Sequence, residues 1–116
     1  MTKKAILFND NDNSLLVKKL DEIVYMESFG CKTKTCFCDG KELLIKKYLS
    51  QVEESLPSEN FFKVHKSFII NIKYLKGINV NTKKSVLLND GIEIKISHRK
   101  YKDFMEFVKN RFVIWQ

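Results

Sequence analysis

With 116 residues the chain has room for one domain, read here as spanning residues 1–116, and its 44% hydrophobic and 12% aromatic content supports a core rather than disorder. Lys and Arg number 21 against 14 Asp and Glu, and the resulting charge of +7 points to a polyanionic partner, nucleic acid before an anionic membrane surface. No apolar run approaches the roughly 20 residues of a membrane helix, and the run Ala5 to Phe8 is too short for a signal peptide, so the expected location is cytoplasmic.

Ala5 to Phe8 has strand character, and Asp10 to Ser14 follows as a turn signal. Its acidic spacing resembles the start of a calcium loop, but Leu15 stands where that loop needs Gly and Asp21 where it needs Glu. Leu15 to Val17 is a second apolar piece, and Leu20 to Ile23 is a short turn. Val24 to Ser28 reads as a strand, Phe29 to Lys32 as a bend, and Lys32 to Cys38 as a strand with Thr33, Thr35 and Phe37 on one face. Asp39-Gly40 is a hairpin signal, and Lys41 to Ile45 is the returning strand. Lys46 to Leu56 changes period: Leu49, Val52 and Leu56 share one face of a helix of about three turns, which Pro57 ends.

Phe61 to Asn71 interleaves apolar and polar residues most tightly. Phe62 and Val64 should face one way and Lys63 and His65 the other, with Lys66 and Ser67 in a turn before Phe68 to Ile70. Tyr74 to Val80 follows in short apolar pieces. Ser85 to Leu88, Asn89-Asp90-Gly91 and Ile92 to Ser97 form a second hairpin, with Ile92, Ile94 and Ile96 on one face. His98-Arg99-Lys100 leads into a helix whose apolar stripe is Tyr101, Phe104, Met105 and Val108, with Phe107 and Arg111 off it. The apolar end, Phe112 to Trp115, is expected to pack on the domain. The tally is an antiparallel, mainly β domain with short helices and no helix long and basic enough to fill a major groove.

Catalysis is not expected. Neither His65 with Glu27 nor a cysteine with His98 has a motif around it, and no glycine-rich phosphate loop is present. Cys31, Cys36 and Cys38 do not have a common zinc spacing, so reduced free thiols, no metal and no cofactor are expected.

The residues resemble the LytTR DNA-binding domain, the output module of many bacterial response regulators. The resemblance is carried by Glu22 to Ser28, Asp39-Gly40, Leu49 to Pro57, the pattern Phe62-x-x-His65-x-Ser67-x-x-x-Asn71, and Ile94 to Arg99, and it spans roughly residues 5 to 105. It implies an elongated arrangement of antiparallel sheets with short helices that binds duplex DNA through loops in successive major grooves. It also implies three contact regions: the bend after Ser28 with Lys32, Thr33 and Lys34; the window Lys63, His65, Lys66 and Ser67; and His98, Arg99 and Lys100. In that scheme Lys66 and Arg99 can reach guanine edges or phosphate, while neighbouring lysines neutralise phosphates.

The resemblance further implies a sequence-specific transcriptional regulator of promoter DNA, with a second copy on an adjacent direct repeat and no small-molecule substrate. The chain has no room for the phosphorylated receiver domain of most such regulators. It is either an excised output domain or a free-standing regulator, and Met1-Thr-Lys-Lys favours the latter. Free-standing relatives imply control by a partner, in some cases a membrane protein. The competing reading is a protein-interaction module whose basic face meets an acidic partner, with Phe112 to Trp115 as part of the contact.

Overall fold

Strand-forming runs separated by Gly and Asn/Asp turns assemble into ten strands and two helices in the computed structural model, which describes the backbone of residues 5–9 and 15–115 and the side chains of residues 16–115. The turn read at Asp10 to Ser14 lies outside the described residues. β1 (Ala5–Asn9) pairs antiparallel with β2 (Leu15–Lys19). The main sheet has five strands in the order β5-β4-β3-β7-β6, all antiparallel: β3 (Ile23–Phe29), β4 (Lys32–Phe37), β5 (Glu42–Ile45), β6 (Phe61–His65) and β7 (Phe68–Asn71). A second sheet, β10-β9-β8, contains β8 (Leu75–Asn79), β9 (Ser85–Leu88) and β10 (Glu93–Lys95). The molecule is elongated, 50 × 31 × 26 Å.

The five-stranded sheet is covered on both faces. On one, Ile23, Met26, Phe37, Phe61 and Ile69 pack with Leu20 and with Leu49 and Val52 of α1 (Leu49–Ser55). On the other, Val24, Val64 and Ile70 meet Val86, Leu88, Ile94 and Ile96 of the smaller sheet and Phe104 and Val108 of α2 (His98–Lys109). The alternation read in β4 holds: Thr33, Thr35 and Phe37 are all buried. Gly40, at φ +87, makes the hairpin turn that a residue with a Cβ would strain.

Four local expectations change. α1 is two turns rather than three, because Lys46 and Lys47 form a bend and Tyr48 is extended: the Lys47 carbonyl accepts a hydrogen bond from Thr33 Oγ1 at 2.9 Å, and Tyr48 N donates to Gln51 Oε1 at 2.9 Å. In β6 the register steps from Lys63↔Ile69 to His65↔Phe68, leaving Val64 as the extra residue of a bulge. His65 therefore returns to the Phe62 side, its ring 6.0 Å from that of Phe68, rather than sharing a face with Lys63. Phe107 is not off the packed face: its ring lies 5.0 Å from Phe62, and the Arg111 guanidinium sits 3.6 Å above it. The tail does not pack. Phe112 to Ile114 are about half exposed or more and Trp115 is 90% exposed, because Phe104 and Val108 already close the core and Arg111 covers Phe107.

One buried hydroxyl tests the packing argument. Thr35 has no exposed surface, and its Oγ1 has no hydrogen-bond partner among the described residues. Burying an unsatisfied hydroxyl costs free energy, and a methyl group in its place does not. Thr35→Val is expected to raise stability by about 1 kcal/mol, read as a higher urea midpoint with an unchanged slope.

Candidate nucleic-acid interface

Antiparallel register collects chain ends. The end of β3, the start of β4, the end of β5, the end of β6 and the start of β7 all lie at one end of the five-stranded sheet. The β3–β4 bend and the β6–β7 turn meet there through the Ser28 amide, which donates to the Ser67 carbonyl at 2.8 Å. The α2 N-terminus joins them through the Ser97 amide, which donates to the carbonyl of the bulged Val64 at 2.8 Å. Ser97 also caps α2, its Oγ accepting from Lys100 N at 3.2 Å. Within the β6–β7 turn, His65 Nδ1 accepts from Ser67 N at 3.2 Å, which orients the imidazole and holds the turn closed. Regions distant in sequence are thus fixed side by side by main-chain groups.

Side chains at this end differ in availability. Lys66, His98 and Arg99 are exposed, while Lys32, His65, Ser67 and Lys100 are half-buried. Thr33 is fully buried and its hydroxyl is spent on the Lys47 carbonyl, so it cannot present a side chain to a partner; the resemblance groups it with the contacts of the bend after Ser28, but it is the first inward residue of β4. Lys34 lies 3.3 Å from Glu27 and 3.6 Å from Glu42, and the hydrogen bond to Glu27 holds its ammonium above the ordinary lysine range. Lys63 is on the α1 face, 3.9 Å from Glu53. Among the described residues no carboxylate forms an ion pair with Lys32, Lys66, Arg99 or Lys100. At this end of the sheet, Lys32, Lys66, Arg99 and Lys100 are therefore free of ion pairs among the described residues, whereas Lys34 and Lys63 are compensated.

Two further cations stand at the same end, Lys46 and Lys47, both exposed and directly after β5. Helical periodicity had absorbed them into α1; the signal that could have found them is the hairpin register, which carries Thr33↔Ile45 and so sets the next residue opposite Lys32. Three thiols are free: Cys31 and Cys38 are exposed, whereas Cys36 is buried and burial pushes its pKa up. No group of His, Cys, Asp and Glu among the described residues could hold a metal ion.

The Enterococcus faecalis sensory transduction protein LytT is 29% identical over 105 residues, covering 89% of this chain and 43% of that protein. The Bacillus subtilis transcriptional regulatory protein NatR is 32% identical over 80 residues, covering 69% of this chain and 34% of that protein. The chain thus spans less than half the length of either relative. In three dimensions it is similar to a LytTr DNA-binding domain of a methyl-accepting/DNA response regulator from Bacillus cereus, with a TM-score of 0.80 at 21% identity over 91% of this chain and 97% of that one. The LytTr DNA-binding domain family itself matches residues 13–109, and the chain belongs to that family.

Proposed function

We propose that the chain is the DNA-binding part of a sequence-specific transcriptional regulator, and that the turn-bearing end of the five-stranded sheet is the surface that meets duplex DNA. The observation that carries this reading is the pair of main-chain hydrogen bonds, Ser28 to Ser67 and Ser97 to Val64, which align three turns carrying unpaired cations. Lys66 and Arg99 are exposed and long enough to enter a major groove and donate to guanine O6 and N7. Lys32 and Lys100 neutralise phosphates and set salt dependence, and His98 and Ser67 border them. His65 keeps the turn closed through its bond with the Ser67 amide. Thr33, Lys34 and Lys63 support the strands from which these turns spring. Two copies on neighbouring direct repeats would present two such surfaces to one face of the duplex.

Selection of bound sequences from random duplex DNA, followed by titration of the best site, tests the proposal. Saturable binding that weakens steeply with salt is expected, with Lys66→Ala and Arg99→Ala each costing about 1–3 kcal/mol and relaxing preference at separate base positions. Wild-type affinity in both variants would remove this end of the sheet from the interface. The exposure of Phe112 to Trp115 favours a second reading, a contact with a protein partner. Equal affinity for selected and random duplex, together with loss of a protein partner on Trp115→Ser, would support it.

A further inference from the structure

We infer that Lys46 and Lys47 form a fourth contact, a phosphate clamp on the DNA backbone beside the three turns, and that buried Thr33 is the residue that positions it. The inference rests on the reading of this end of the sheet as the duplex-binding surface.

The geometry supplies the argument. β5 and β6 are the two edges of the five-stranded sheet, so Lys46 and Lys47 at the end of β5 and Lys66 after β6 bracket its full width. Four inter-strand gaps at about 4.8 Å make that width roughly 19 Å, more than the roughly 12 Å of a major groove. A surface that lowers Lys66 and Arg99 into the groove therefore carries its β5 edge over the flanking phosphates. There, Lys46 and Lys47 are exposed and, among the described residues, free of ion pairs.

Mobile surface lysines would contribute little, but the backbone that carries these two is fixed. Ile45, just before them, is paired with Thr33 in the sheet. Just after them the Lys47–Tyr48 peptide is held on both of its sides: Thr33 Oγ1 donates to the Lys47 carbonyl at 2.9 Å from a position with no exposed surface, and Tyr48 N donates to Gln51 Oε1 at 2.9 Å at the start of α1. The loop pays part of its ordering entropy on folding, before DNA arrives. A phosphate contact of this kind carries no base preference.

The test is the salt dependence of binding to the selected duplex and to a scrambled duplex, for wild type, Lys46→Gln/Lys47→Gln, Thr33→Val, and Lys41→Gln/Lys76→Gln as a charge-matched control. Lys41 is exposed and precedes the opposite end of β5, and Lys76 is exposed on β8 of the other sheet. Each phosphate contact contributes about 0.9 to the slope of log affinity against log salt, so the Lys46/Lys47 variant should lose about 1–2 of slope while its preference for the selected duplex stays within about twofold. The control should keep the wild-type slope. Thr33→Val should lose part of the same slope with both lysines still present, at a temperature where its circular dichroism matches wild type.

A wild-type slope in the Lys46/Lys47 variant, or an equal loss in the control, overturns the clamp. Loss of sequence preference in the Lys46/Lys47 variant overturns its assignment to phosphate. A wild-type slope in Thr33→Val overturns the positioning role of Thr33. If the wild-type protein itself binds no duplex in a saturable, salt-dependent way, the interface as a whole falls, an outcome distinct from failure of the clamp alone.

Discussion

Phe104→Ala is expected to lower the free energy of unfolding by about 3–5 kcal/mol, the largest loss from any single truncation in this protein. Phe104 has no exposed surface and lies where three units meet: α2, the five-stranded sheet and the smaller sheet. Its ring is 5.3 Å from Phe62 in an edge-to-face arrangement and 6.4 Å from Phe107 in a stacked one. Truncation removes the transfer free energy of the ring and leaves a cavity that neighbours on three elements cannot close together. Domains of this kind are stable by about 5–15 kcal/mol in total, so the variant should sit near its unfolding threshold. Denaturant titration with two probes reads the loss, and Phe104→Leu, which keeps most of the volume, should lose about 1–2 kcal/mol. An alanine variant with a wild-type midpoint would mean that α2 does not depend on this core.

Asn71→Ala should cost about 2–4 kcal/mol, from a side chain that is almost wholly buried. Asn71 is 2% exposed; its Nδ2 donates to the Ile23 carbonyl at 2.9 Å, and its Oδ1 accepts from Lys73 N at 3.0 Å. The first bond ties the end of β7 to the start of β3, 48 residues earlier. The second caps the single 3₁₀ turn Ile72–Tyr74 that leads into the smaller sheet. Alanine leaves a buried carbonyl without a donor, which costs the full desolvation of that group, whereas the half-exposed Lys73 amide recovers part of its loss from water. The expected readout is a lower thermal midpoint with near-native circular dichroism below it. Asn71→Asp should not rescue, because a carboxylate cannot donate to the Ile23 carbonyl and adds a buried charge.

These two residues show how sequence and structure divide the information. The motif that ends in Asn71 was visible in the sequence, and so were the Asp39-Gly40 hairpin, the shared face of Thr33, Thr35 and Phe37, and the stripe of α2. Each of these follows from local chemistry: turn residues, a period of two, a period of 3.6. The bulge at Val64 was not legible, because it is defined by what lies opposite on β7. The early boundary of α1 was hidden for the same reason, since Lys47 is held by Thr33 14 residues away. The candidate site shared this limit. The turns were found, but whether a lysine on a strand faces a carboxylate depends on cross-strand partners, and that removed Lys34 and Lys63 from the free charge.

The bonds that hold the three turns together use only main-chain amides and carbonyls at Ser28, Ser67, Val64 and Ser97. No side chain at positions 32, 66 or 99 takes part in them. Those three positions can therefore exchange one amino acid for another without loosening the frame beneath. On the proposed reading of Lys66 and Arg99 as the base-reading residues, recognition of a new target can change by single substitutions while the cost to folding stays close to zero, so recognition and stability are free to evolve at separate rates.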